Sequence, residues 1–127
     1  MDESIRLALS RSGIVDITTT GRRTGQPRRI EIAYHVIDGR IYISGMPRAD
    51  QKRAWLFNLE ADPRFVMHVK NGVSADLPAT ARVITDEVER RRILEHVAAE
   101  WRRTDIDEMV AHSPLIEVTI DGLAGPE

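Results

Sequence analysis

The chain contains no cysteine among its 127 residues. This absence excludes disulfide bonds, zinc sites with thiolate ligands, iron–sulfur clusters and cysteine nucleophiles. Only two lysines are present, Lys52 and Lys70, so arginine supplies nearly all of the positive charge. The four histidines lack the spacing of a metal-binding motif such as H-E-x-x-H. We therefore predict that the protein has no metal site.

Long apolar runs are also absent. No segment approaches the roughly 20 apolar residues that span a bilayer, and residues 1–12 lack the apolar stretch of a signal peptide. We therefore expect a cytoplasmic protein without an integral membrane segment. The formal net charge of −2 does not favour binding to nucleic acid. The length predicts a single domain, residues 1–127, whose core needs no disulfide or metal to fold.

The charge that is present is unevenly distributed. Residues 1–53 hold 10 basic and 6 acidic side chains, whereas residues 54–127 hold 8 and 14. One short loop in the basic half contains two glycines and four arginines: Gly21, Arg22, Arg23, Gly25, Arg28 and Arg29. Glycine lets the backbone approach a ligand closely, and arginine offers a planar, permanently charged fork to phosphate or carboxylate.

This arginine loop therefore predicts a site for a small molecule with several negative charges. It is not a Walker phosphate loop, because no Gly-Lys-Ser/Thr follows at the required spacing. The alternative is a solvated hairpin loop that binds no ligand.

Hydrophobic patterning predicts six strands and four helices. The predicted strands are 14–20, 28–37, 40–44, 63–70, 73–84 (interrupted by Pro78) and 114–121, and the predicted helices are 2–12, 51–60 (capped by Asp50), about 18 residues from Thr85, and 105–111. Asp38-Gly39 and Asn71-Gly72 predict hairpin turns. Because the strands follow one another in hairpins, without β-α-β alternation, we expect an α+β fold whose antiparallel sheet closes as a small barrel.

Two faces of these elements carry further expectations. Alternation along the second strand places Ile30, Ile32, Tyr34 and Val36 in the core and Arg29, Glu31, Ala33 and His35 on a polar wall beside the arginine loop. On the long helix, Val88 is expected to face inward. The run Arg90-Arg91-Arg92 is expected to form a solvated face with i, i+4 ion pairs.

Three segments together resemble the deazaflavin-dependent nitroreductase and quinone reductase family. They are 18–28, 42–45, and 54–59 followed by 61–64. In the family they read approximately T-T-x-G-R-K/R-[ST]-G-x-x-R, a strand that ends in a loop of small residues, and A-W-Y-x-N-L followed by N/D-P-R. The resemblance covers about residues 14–70 and implies the split β-barrel fold shared with flavin-binding oxidoreductases. It also implies a homodimer, since such barrels commonly pair through their sheets.

The family resemblance implies coenzyme F420, a deazaflavin with a phosphodiester and an oligoglutamate tail, as the cofactor. By resemblance, Arg22, Arg23, Thr24 and Arg28 hold the phosphate and the nearby carboxylates. The strand segment 30–32, which includes Glu31 and Ile32, would lie along the deazaflavin ring with Ser44, Gly45 and Met46. Trp55 would shape the pocket. Glu31 has a second reading, in which it only pairs with Arg29.

The implied reaction is transfer of a hydride from the reduced deazaflavin to a small electron-poor acceptor, such as a quinone, an enone or a nitroaromatic. Ser44 is the first candidate for a donor to the acceptor, and His112 or His35 for a proton donor. This chain departs from the family in residues 45–50, which lack lysine and paired glycines, and in residues 101–113, which contain no tyrosine. Two alternatives therefore stay open: a split-barrel reductase that uses FMN or FAD, and a non-catalytic carrier.

Overall fold

The structure, a computed structural model, describes residues 2–48 and 53–122. Six antiparallel strands close into a barrel in the order β1-β2-β3-β6-β5-β4. The strands are β1 (Gly13–Thr20), β2 (Pro27–Ile37), β3 (Arg40–Ser44), β4 (Arg64–Val69), β5 (Ala75–Val83) and β6 (Leu115–Ile120), and the helices are α1 (Glu3–Ala8), α2 (Ala54–Ala61), α3 (Glu87–Trp101) and α4 (Ile106–His112). This architecture confirms the predicted α+β antiparallel split barrel.

Apolar residues from all six strands form the main core of the barrel. On β1, Val15 and Ile17 are fully buried, whereas Ile14 is largely exposed, as expected when alternate side chains face opposite sides of a sheet. Helices α1 and α2 add to the same core through Leu9, Trp55 and other residues. The core therefore joins the β1–β2 half of the barrel, which carries the arginine loop, to helix α2.

Both predicted hairpins are present. Asp38 and Gly39 both have positive φ, 52° and 75°, which confirms the type I′ turn between β2 and β3. Asn71-Gly72 lies in the hairpin between β4 and β5, but this loop is longer than the predicted strand ends imply, because the last pair joins Val69 to Ala75 and leaves five residues, 70–74. In this loop only Gly72 has positive φ, whereas a type I′ turn requires two such residues.

Helices α1 and α3 are shorter than the sequence predicts, whereas α4 has the predicted length. Helix α1 ends at Ala8 instead of Ser12, and Asp2 caps its start by accepting a hydrogen bond from the Ser4 N–H. Helix α3 begins at Glu87, because the Asp86 carboxylate accepts the N–H of Glu89. The predicted cap of α2 at Asp50 lies outside the described residues. Within 2–48 and 53–122, no helix is both long and apolar enough to cross a membrane.

A second core lies between the outer face of the barrel and helices α3 and α4. It buries His35, which is 1% exposed and meets the ring of Trp101 edge-on at 5.1 Å. The prediction that His35 belongs to a polar wall is therefore wrong at this position, because α3 covers this end of β2. The prediction that Val88 faces inward is also wrong: Val88 is 79% exposed, and the fully buried residues of α3 are Ile93, Leu94 and Val97.

Arg90 is not part of a solvated face. Its guanidinium donates hydrogen bonds to the carbonyls of Ile84 (2.9 Å), Val110 (2.9 Å) and Ser113 (2.6 Å), and a longer one to Met109 (3.5 Å). The carbonyls of Val110 and Ser113 lie at the C-terminal end of α4, where the last carbonyls of a helix have no N–H donor within the helix. Burial lowers the pKa of Arg90. The arginine thus fastens α4 to α3 and to the end of β5.

Replacing Arg90 by methionine should destabilise the protein by about 2–4 kcal/mol, because several partly buried carbonyls lose their donor at once. The matched control is Arg91→Met. Arg91 forms an exposed ion pair with Asp107 at 3.0 Å, and its loss should cost less than about 1 kcal/mol. Urea unfolding measures both free energies. Equal losses for the two variants would contradict the role assigned to Arg90.

Candidate functional site

The connection from β1 to β2 follows their last pair, Thr20 and Pro27, so Arg22 and Arg23 lie in this loop, whereas Arg28 and Arg29 lie at the start of β2. Within it, the Gly21 N–H donates to the Gln26 carbonyl and the Gly25 N–H donates to the Gly21 carbonyl, both at 2.8 Å. A Cβ atom on Gly21 would lie 3.0 Å from Thr24 Oγ1 and 3.1 Å from the Gln26 carbonyl oxygen. A larger residue at position 21 would therefore displace the turn, and glycine allows the loop to fold back on itself.

Asn58 of α2 holds this loop against the helix. Its Oδ1 accepts the backbone N–H of Arg22 at 3.1 Å, and its Nδ2 donates to Thr19 Oγ1 at 3.0 Å. Asn58 and Thr19 are both buried, so these bonds form away from competing water. No role for Asn58 was predicted from the sequence. The feature that could have identified it is a polar amide side chain on the apolar stripe of α2, between Trp55 and Leu59.

Arg22 makes a second contact with α2. Its guanidinium carbon lies 4.6 Å from the centre of the Phe57 ring, in the range of a cation–π interaction. The backbone of Arg22 is therefore fixed by Asn58 and its side chain by Phe57. Helix α2 thus determines where the first arginine of the loop presents its charge.

A cavity of about 370 Å³ lies between the arginine loop and α2. We name it the arginine cavity; its lining residues are Thr19, Gly21, Arg22, Arg23, Thr24, Arg28, Arg29, Ile30, Ala54, Trp55 and Asn58. Five residues predicted to bind a cofactor are therefore brought together here: Arg22, Arg23, Thr24, Arg28 and Trp55. Trp55 is 7% exposed and forms, with Ile30 and Ala54, an apolar part of the wall.

The electrostatics of the arginine cavity are strongly positive. Within the described part of the chain, no carboxylate lines it, and the side chains of Arg22, Arg23 and Arg28 form no ion pair. Of its arginines only Arg29 is neutralised, by Asp16 at 3.0 Å. The start of α2 also lines the cavity and has no side-chain cap, so the positive end of its dipole adds to the field. This set of donors fits an anionic ligand.

Glu31 does not line the arginine cavity. Its carboxylate pairs with Lys70, which also pairs with Asp16 at 2.8 Å, on the outer surface of the barrel. Both carboxylates raise the pKa of Lys70, with Asp16 the larger cause, and hydrogen bonds from Lys70 and Arg29 lower the pKa of Asp16. The sequence also suggested that Glu31 pairs with Arg29. In the structure Glu31 pairs with Lys70 instead, and Arg29 pairs with Asp16.

Of the residues expected along the deazaflavin ring, Ile30 lines the arginine cavity, whereas Ile32, Ser44, Gly45 and Met46 do not. Ile32 is partly buried and packs against the barrel core. Ser44 is 1% exposed, and its hydroxyl donates to the Pro114 carbonyl at 2.8 Å. Gly45 lies beside Pro114 and Arg53, and Met46 is half-exposed, with its Sδ accepting from Arg103 at 3.4 Å. The expectation that these residues lie along the deazaflavin ring stays a prediction.

His112 lies on the other side of α2. It lines a second cavity with Arg53 and Leu56, whereas Ala54, Trp55 and Asn58 of the same helix line the arginine cavity. Its Nε2 is 3.9 Å from the Glu108 carboxylate, a distance longer than a hydrogen bond. Helix α2 therefore separates the predicted proton donor from the arginine loop.

Solved structures share this fold. A protein described as an F420 reductase has a TM-score of 0.71 and 14% identity, over 96% of this chain and 97% of that one. An F420-H2-dependent reductase has a TM-score of 0.60 and 20% identity, over 84% and 93%. An FAD-binding protein from Mesorhizobium loti has a TM-score of 0.62 and 16% identity, over 93% and 86%. At these identities the likeness establishes the fold alone.

The family model described as F420H(2)-dependent quinone reductase matches residues 5–120, which is most of the chain. The match includes the arginine loop, helix α2 and all six strands of the barrel. The protein therefore belongs to the F420H(2)-dependent quinone reductase family.

Proposed function

We propose that the arginine cavity binds coenzyme F420, and that the protein is a reductase which passes a hydride from the reduced cofactor to a small electron-poor acceptor. The observation that carries this proposal is the set of three arginines, Arg22, Arg23 and Arg28, that face one cavity without a carboxylate partner among the described residues. An anion with several charges would neutralise them. The family match supports F420 as that anion.

Each part of the cavity has a task in this proposal. Arg23 and Arg28 bind the phosphodiester and the nearest carboxylates of the tail through charge-assisted hydrogen bonds. Arg22 adds its charge from a position fixed by Asn58 and Phe57. The Thr24 hydroxyl accepts the Gln26 N–H at 3.2 Å, and its own hydrogen stays available to an anionic oxygen.

Bound F420 in its reduced form supplies the hydride, which a quinone, an enone or a nitroaromatic accepts. The chain contributes the apolar wall of Ile30, Ala54 and Trp55, which excludes water from one side of the cavity. Catalytic roles for Ser44 and His112 stay predictions. Ser44 would have to give up its hydrogen bond to Pro114 in order to donate to an acceptor.

A flavin reductase is the second candidate function, since the same arginines would suit the phosphate of FMN or FAD and an FAD-binding protein shares the fold. Titration of the purified protein with oxidised F420, FMN and FAD in parallel, followed by the fluorescence of each, identifies the cofactor. We expect F420 to bind at least about tenfold more tightly than either flavin, a difference of about 1.4 kcal/mol. Tighter binding of FMN or FAD would move the protein to the flavin reductases.

If F420 binds but its reduced form is not oxidised by quinones, enones or nitroaromatics, the protein is a carrier. Absorbance of the cofactor during turnover measures this directly. A homodimer and a cytoplasmic location also stay predictions. Light scattering on the purified protein measures the oligomeric state.

Replacing Arg23 and Arg28 together by glutamine should weaken F420 binding by at least about a hundredfold, because each charge-assisted hydrogen bond contributes roughly 1.5–3 kcal/mol. The matched control is Arg92→Gln, which removes a charge from the exposed face of α3 outside the arginine cavity. Fluorescence titration gives both affinities. Unchanged affinity in the double variant would show that the arginine loop is not part of the cofactor site.

Asn58→Ala should weaken F420 binding by about tenfold, because the N–H of Arg22 loses its acceptor and the loop is no longer held against α2. The control is Thr19→Val, which removes the other partner of Asn58 but keeps the bond to Arg22. Its affinity should change by less than about threefold. Faster amide exchange at Arg22 in Asn58→Ala alone would identify the cause. Equal losses of affinity in both variants would contradict it.

A further inference from the structure

A second cavity, of about 390 Å³, lies on the opposite face of α2. Arg53, Leu56 and Glu60 of the α2 segment line one side, and the end of α4 and the start of β6 line the other; the remaining lining residues are Arg48, Val83, Ile84, Thr85, Arg90, Ala111, His112, Ser113, Pro114 and Leu115. We name it the α2–α4 cavity. Its volume falls within the range of small-molecule sites in proteins.

Two guanidinium groups at this cavity have no carboxylate partner within the described ranges. Arg53 donates to the carbonyl of Met46, and Arg90 donates only to backbone carbonyls. Burial, and secondarily the nearby charge of Arg48, lower the pKa of Arg53. Backbone carbonyls are therefore the hydrogen-bond partners of both groups among the described residues, and Glu60 is the acidic residue in the lining of this cavity. An organic anion in the cavity would compensate the two guanidinium charges.

Ser113 provides an independent indication of a ligand. It is 3% exposed, and its hydroxyl has no hydrogen-bond partner in the described part of the chain. Buried hydroxyl groups in proteins nearly always have such a partner. A Cβ atom placed on Gly45 would lie 3.3 Å from Arg53 Nη2 and 3.1 Å from Pro114 Cγ, so the Arg53 guanidinium lies beside the Ser113–Pro114 segment. A cation and an unused donor thus occur together.

Part of the remaining wall is apolar, and Arg48, Glu60, Thr85 and His112 add polar groups to it. Leu56, Val83, Ile84, Pro114 and Leu115 line the cavity, and all except Val83 are buried. Such a wall favours a hydrocarbon body and disfavours a small hydrated ion such as free phosphate. The ligand that matches both parts of the wall is a small amphipathic anion.

We propose that the α2–α4 cavity is a second ligand site, which binds a small organic carboxylate with an apolar body. The carboxylate contacts Arg53 and the Ser113 hydroxyl, and the body packs against Leu56 and Pro114. This site goes beyond the proposed cofactor site in the arginine cavity, because α2 separates the two cavities and none of the described residues lines both. His112, the predicted proton donor, is among the residues that line it.

The test uses phenylpropionate and the protein without F420. Phenylpropionate has no activated double bond, quinone or nitro group, so it is not a hydride acceptor and reports binding alone. We expect saturable binding with Kd on the order of 1 mM or tighter, as suits a ligand of this size. Backbone-amide NMR shifts should move at Ala111, Ser113 and Leu115. The neutral analogue phenylpropionamide should bind at least about tenfold more weakly, because it lacks the charge that Arg53 recognises.

Variants locate the site. Arg53→Gln should weaken phenylpropionate binding by about tenfold, and Ser113→Ala by roughly threefold to tenfold. Arg92→Gln, which removes a charge from α3 outside the cavity, should leave the affinity unchanged. Ser113→Ala removes a hydroxyl that has no hydrogen-bond partner among the described residues, so this variant should fold normally. It therefore tests the second site even if Arg53→Gln does not fold.

Three results would overturn the second site. They are no saturable binding of phenylpropionate, equal binding of the neutral amide, and shifts confined to the arginine loop. Since F420 affinity is measured separately, failure here leaves the proposed reductase function standing. Failure of F420 binding likewise leaves the second site to be judged on phenylpropionate alone.

Discussion

The hydrogen bond that Asn58 accepts from the Arg22 N–H is the contact on which the candidate site depends. Together with the bond from Asn58 to Thr19, it joins an eight-residue helix that packs on the barrel core to the end of β1 and to the first arginine of the arginine loop. Because Asn58 and Thr19 are buried, the bonds are shielded from water and each unmade bond would leave a polar group unsatisfied. The position of the loop, and with it the shape of the arginine cavity, follows from the packing of α2.

The distribution of ion pairs explains why the arginines of the chain are not equivalent. On the outer surface, arginines meet carboxylates of neighbouring elements: Arg82 pairs with Glu117 of β6 and with Glu89 of α3, and Arg40 pairs with Glu117. Around the arginine cavity, three arginines lack such a partner within the described residues. Exposed ion pairs contribute little to stability, whereas charges left unpaired in a concave wall attract an anion. The barrel thus separates arginines that serve the surface from arginines that serve the site.

Helix α2 has a different chemistry on each face. One face presents Trp55 and Asn58 to the arginine cavity, and the other presents Arg53 and Leu56 to the α2–α4 cavity. Residues three or four apart share a face of a helix, whereas neighbours such as Trp55 and Leu56 point about 100° apart, so a short segment can line two sites. The sequence motif that includes Trp55 therefore contributes lining residues to both cavities.

The sequence by itself determined features that short-range chemistry decides. The Asp38-Gly39 turn follows from the need for positive φ at both positions, and the arginine loop and the Trp55 motif are readable as local patterns that resemble a known family. Tertiary structure alone decided where α3 and α4 dock, because their apolar stripes do not specify which face of the barrel they cover. That docking buries His35 and brings the backbone carbonyls at the end of α4 within hydrogen-bond distance of Arg90. It also left Ser113 without a hydrogen-bond partner in the described part of the chain. The role of Asn58 likewise required a contact between residues 36 positions apart, which no local pattern encodes.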